Sequence, residues 1–170
     1  MSLSIQFFQR GGSTLRHPDL RRALEAMLRA NLGPRIVETL RIRVEFRATK
    51  LEAGTEAMVQ LKTNGSKPQR EFRIVAQRDT AFSAQVLNLA HEVVHVAQSV
   101  SGRYQLRKVA GVTHVRWEGK NLGRLSAIPY LENPAEVEAF ARQAEVARIG
   151  LQAVSSRADR STLLTAKLAA

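Results

Sequence analysis

Residues 89–98, Leu89-Ala90-His91-Glu92-Val93-Val94-His95-Val96-Ala97-Gln98, contain no glycine or proline. With Val86 they set Leu89, Ala90, Val93 and Ala97 at the three- and four-residue intervals of one apolar helix face. The breaker-free window runs from Ser83 to Ser99, Gly102 lies just beyond it, and Thr80 is suited to cap its start. On such a helix His91 and His95 project from one side a turn apart, with Glu92 beside them. That spacing fits two neighbouring vertices of a tetrahedral zinc site, and it sets Glu92 to take a proton from a water activated by the metal.

Upstream of this helix, Leu20, Leu24, Met27 and Leu28 recur at helical spacing between Pro18-Asp19 and Gly33-Pro34, which predicts a helix over roughly 18–32. Leu40, Ile42, Val44 and Phe46 alternate with Arg41, Arg43, Glu45 and Arg47, the period of a half-buried strand. Ala57/Val59/Leu61 and Phe72/Ile74/Ala76 flank the turn-rich Asn64-Gly65-Ser66-Lys67-Pro68 and read as a hairpin, so a small antiparallel sheet is expected before residue 80. Downstream, Tyr104–Val109 and Thr113–Trp117 read as a second hairpin, and 119–132 as irregular. Asn133 as cap, Pro134 at the first helical position and Glu136 three residues after the cap start a last helix, expected to about Val154. The expectation is an α+β fold with one domain over 1–154 and a helical or disordered tail over 155–170.

A catalytic zinc takes a third protein ligand and keeps one position open for water. The chain has no cysteine and only four histidines, so the candidates are His17, His114 and carboxylates. Glu136 and Glu138 stand out on the last helix. A capping box would fold the Glu136 carboxylate back to the Asn133 amide, which leaves Glu138 as the expected ligand beside His91 and His95. Tyr130 and His114 are candidates to stabilise an oxyanion, Gln98 reads as a surface amide, and Trp117 as a packing anchor.

Three blocks, His91-Glu92-Val93-Val94-His95-Val96-Ala97-Gln98, Arg116-Trp117-Glu118-Gly119-Lys120, and Tyr130 with Asn133-Pro134-Ala135-Glu136-Val137-Glu138-Ala139, resemble small phage- and bacteria-encoded zinc metallopeptidases of the gluzincin type. The likeness spans residues 85–145. It implies peptide-bond hydrolysis with Zn2+ as cofactor, Glu92 as general base and a glutamate followed by alanine as third ligand, which falls on Glu138-Ala139. Ala135 stands where those proteins usually have tryptophan. Arg142 stands where larger gluzincins place an aspartate supporting a ligand histidine, so the outer support of His91 and His95 is unassigned.

The formal charge is +11, from 26 Lys plus Arg against 15 Asp plus Glu. Such an excess favours acidic partners: an acidic polypeptide substrate, or weak nucleic-acid contact through the run Arg103, Arg107, Lys108, Arg116, Lys120 and Arg124. Met1 to Gly12 contains no apolar leader segment and no uncharged run reaches membrane-spanning length, so a cytoplasmic protein without a membrane partner is expected. Two other functions fit the same residues: a nucleic-acid-associated protease or regulator, and a non-catalytic structural or phage assembly protein stabilised by zinc.

Overall fold

A computed structural model of the chain describes residues 3–9, 14–48, 56–61, 69–78 and 81–168, with side chains described as far as Ser155. In order, the elements are β1 (Ser4–Gln9), β2 (Thr14–Leu15), α1 (Pro18–Leu32), α2 (Pro34–Val37), β3 (Arg41–Arg47), β4 (Ala57–Gln60), β5 (Glu71–Gln77), α3 (Phe82–Val100), β6 (Tyr104–Val109), β7 (Val112–Trp117), β8 (Lys120–Arg124) and α4 (Pro134–Leu168). Two 3-10 turns, Leu125–Ala127 and Tyr130–Glu132, lead into α4. No helix among the described residues is long and apolar enough to cross a membrane.

The mixture of helices and sheets expected from the sequence is present, but the main sheet is not antiparallel. Its order is β2-β1-β3-β5-β4. β1 runs parallel to β3, with Ile5 opposite Ile42 and Phe7 opposite Val44, and β3 runs parallel to β5, with Val44 opposite Ile74. Only the flanking pairs are antiparallel, and β4 against β5 is the hairpin expected from the alternating runs. The expectation failed because a hairpin leaves a local signature, whereas a parallel pair is joined by a distant crossover. Here α1 makes the crossover from β1 to β3. The turn-rich segment 64–68 and Thr80 lie outside the described residues, and Ala81 holds the N-cap position of α3.

One face of the sheet carries Ile5, Phe7, Ile42, Val44, Phe46, Phe72 and Ile74 into a core with Leu24, Met27 and Leu28 of α1, Leu89 and Val93 of α3, and Ala139 and Val146 of α4. The period of two on the strands and of about 3.6 on the helices thus meet in one apolar layer. In α4, a Cβ added at Gly150 would stand 3.1 Å from Met27 Cγ and 3.2 Å from Val86 Cγ1. That lack of side chain seats α4 against α1 and α3 together.

The second sheet has the order β6-β7-β8. β6 and β7 are the expected hairpin, while β8 falls in the stretch read as irregular; its residues are almost all exposed and carry no apolar alternation. Tyr104 and Val115 on its inner face pack with Ala135 at the start of α4. At the β6–β7 turn, Ala110 and Gly111 both have positive φ, 49° and 80°. A tight hairpin turn requires this, but alanine pays a Cβ clash in that region. Ala110→Asn is therefore expected to stabilise the protein by about 0.5–1 kcal/mol, read as a higher midpoint in denaturant. A lower midpoint would show that the alanine methyl is held by packing.

Candidate metal centre

Helix α3 buries its chemical residues in the core layer: His91, Glu92 and His95 are 8%, 3% and 6% exposed. Opposite them, the first turn of α4 presents Glu136. His91 Nε2 lies 3.2 Å from His95 Nε2 and 3.2 Å from Glu136 Oε2, and His95 Nε2 lies 3.3 Å from the same oxygen. Donors about 2.0–2.1 Å from a tetrahedral ion stand roughly 3.3–3.4 Å from one another. The triangle therefore has the edge length of one face of a zinc tetrahedron.

Glu138 does not join this group. Its carboxylate accepts hydrogen bonds from Arg103 Nη1 at 2.9 Å, Gln98 Nε2 at 3.1 Å and Arg142 Nη1 at 3.2 Å. Asn133 does cap α4, its Oδ1 accepting the Ala135 amide at 3.1 Å. The reciprocal half of the capping box is not needed, because the Asn133 amide already donates to Pro129 and Tyr130 carbonyls of the preceding 3-10 turn. Glu136 is thereby released to the histidines. One sequence signal points the same way: Glu136, Phe140 and Gln143 recur at the four- and three-residue steps of one helix face, and all three contact His91.

The outer support absent from the sequence reading comes from two glutamines. Gln98, expected on the surface, is 1% exposed. Its Nε2 donates to the Ala135 carbonyl and to Glu138, which fixes its Oε1 as the partner of His95 Nδ1 at 2.9 Å. Gln143 Oε1 lies 3.0 Å from His91 Nδ1. An amide oxygen only accepts, so each Nδ1 donates its hydrogen outward and each Nε2 is the ring atom turned into the triangle, where it can offer a lone pair to a metal ion. Together with Glu136, three groups able to ligate a metal ion converge, and without an ion the histidine nitrogens donate to the Glu136 carboxylate instead. Gln98→Leu is expected to weaken zinc binding by about 10–100-fold, measured by competition with a chelator; unchanged affinity would mean that Gln98 serves packing alone.

The electrostatics follow from burial and these contacts. Burial pushes the Glu92 carboxyl up, and the neighbouring histidines only partly offset it. For Glu136 burial also pushes upward, but hydrogen bonds with His91, His95 and Tyr130 outweigh it and hold the carboxyl at about 2. Burial works against the charged form of His95 as well, yet its contact with Glu136 leaves it raised.

The three residues open into a cleft of about 410 Å³. Its walls come from β4, the inner face of the small sheet (Tyr104, Leu106) and the segment carrying Leu125, Ile128 and Tyr130. The Tyr130 hydroxyl donates to Glu136. His114 is on the opposite face of β7 from Val115 and Trp117, away from the cleft. Trp117 is half-buried, edge-on to Tyr104 at 6.4 Å and covered by the Arg103 guanidinium, an anchor for the sheet.

β4 is an edge of the main sheet. The Gln77 amide donates to the Glu56 carbonyl, so alternation along the ladder turns the amide and carbonyl groups of Ala57 and Val59 outward from β5. The Val59 backbone accordingly bonds Glu92. Comparison with known proteins gave no match to this chain among family models, curated sequences or solved structures.

Proposed function

We propose that this protein is a zinc-dependent metallopeptidase in which His91, His95 and Glu136 hold the ion and Glu92 is the general base. The observation that carries the reading is the triangle of three lone-pair donors with edges of 3.2–3.3 Å. Zinc bound there would polarise a scissile carbonyl and make water acidic enough to attack it. Glu92, dry and at the cleft wall, accepts the proton of the attacking water and returns it to the leaving amine. Tyr130, which lines the cleft and donates its hydroxyl to Glu136, is the side chain we assign to the oxygen of the tetrahedral intermediate. The outward amide and carbonyl of Ala57 and the carbonyl of Val59, whose amide is held by Glu92, offer an extended peptide an edge to pair with, which is how a shallow cleft grips a polypeptide.

The test is metal analysis followed by hydrolysis of a labelled unfolded polypeptide. One zinc per chain, and cleavage lost with a chelator and restored by added zinc, is the expected result. Stoichiometric zinc without cleavage of any unfolded polypeptide supplied would replace the enzyme with a zinc-stabilised structural protein. Absence of bound zinc at micromolar excess would remove the reading altogether.

A further inference from the structure

The two sheets dispose of their arginines differently. On the open face of the main sheet Arg41 pairs with Glu71, Arg73 and Arg47 pair with Glu45, and Arg43 lies over the Phe8 ring. Each of those cations is already engaged. On the small sheet, register places Arg107, His114 and Arg124 in one cross-strand row and Gln105, Arg116 and Asn121 in the next, all on the face turned away from the cleft. No carboxylate shares these rows. Among the described residues none of the three arginines has an acidic partner: Arg116 donates to the Gly119 carbonyl and Arg107 to the Gln105 side chain. Arg103, from the same basic run, is excluded because Glu118 and Glu138 hold it.

We propose that this outer face of the small sheet, through Arg107, Arg116 and Arg124, binds the phosphate backbone of nucleic acid. Two strand spacings separate Arg107 from Arg124, about 10 Å, so their potentials add within one screening length. Guanidinium groups match phosphate oxygens with paired hydrogen bonds, which a lysine cannot do. The neutral amides of Gln105 and Asn121 stand between the arginines, where they can donate to phosphate or sugar. No Phe, Tyr or Trp stands in these rows and the charged groups are all arginines, so binding is carried by the phosphates and depends strongly on salt. The inner face of the same sheet lines the cleft, and the bound strand lies on the other side, leaving the cleft open. This site is independent of the peptidase reading, since it uses none of the residues of the metal centre.

The test uses the full chain and a fluorescein-labelled oligothymidylate of about 20 nucleotides, titrated by anisotropy over a range of salt concentrations. Arg107→Gln, Arg116→Gln and Arg124→Gln together are compared with Arg41→Gln, Arg43→Gln and Arg73→Gln, which remove the same charge from the other sheet. The first triple should lose roughly tenfold or more in affinity at low salt and flatten the logarithmic salt slope by about 2, from about 0.7 per phosphate contact. The second should change both far less. The single Arg124→Gln, with a slope change of about 0.7, guards against misfolding of the triple. An equal loss in both triples would reduce the effect to net charge and overturn the site, as would no loss in the first. Binding to phosphatidylserine vesicles that depends on these arginines, with oligonucleotide binding unaffected, would overturn it in favour of a membrane surface.

Discussion

Glu136→Ala is expected to leave the purified protein without bound zinc, whereas Glu138→Ala keeps it. The first substitution removes a donor 3.2 Å from one histidine and 3.3 Å from the other, so the loss should exceed the ~10–100-fold cost of removing an outer partner. The second removes the acceptor for Arg103, Arg142 and Gln98. Its cost falls on stability, on the order of 1–3 kcal/mol for lost charge-assisted hydrogen bonds, with a smaller effect on zinc through a looser Gln98. Zinc titration separates the two variants: Glu136→Ala loses the metal, whereas Glu138→Ala keeps it and shows its cost as a lower midpoint in denaturant. The reverse pattern would return the third ligand to Glu138 and show that the contacts of α4 had been assigned to the wrong carboxylate.

Glu92→Gln is expected to lower peptide hydrolysis by about 10²–10⁴-fold while zinc stays bound. Glutamine keeps the shape and the contact with the Val59 backbone but cannot take a proton from water. The residue touches neither Nδ1 partner of the histidines, so the triangle has no reason to open. Hydrolysis within a few-fold of the unaltered protein, at equal zinc content, would assign the proton transfer elsewhere, with Tyr130 the next group along the cleft wall.

The helices were legible because their evidence is local. Pro18 and Gly33 bracket α1 where the apolar stripe begins and ends, and the helix occupies Pro18–Leu32. The apolar run around His91 lies wholly within α3. What the sequence concealed was set by partners distant along the chain. Ser4–Gln9 becomes a strand only because β3, more than thirty residues on, offers a parallel neighbour. Gln98 looks like a surface amide until Ala135 and Glu138 arrive to accept its hydrogens. The choice between Glu136 and Glu138 turned on one backbone amide: a 3-10 turn before Asn133 satisfied it, and no propensity in 130–132 announces that turn. Hydrogen-bond accounting across elements, rather than spacing within one, decided the candidate site.

The third corner of the triangle belongs to the last helix, forty-one positions after His95. During synthesis the chain therefore carries His91 and His95 for some time before Glu136 exists, and α4 must still dock on α1 and α3 before the carboxylate reaches them. A nascent or truncated chain that stops short of α4 holds two imidazoles and no closed donor set. Docking of α4 is thus the step that closes the proposed donor set, so binding of an ion there waits on the tertiary packing of this helix and not on the folding of α3 alone.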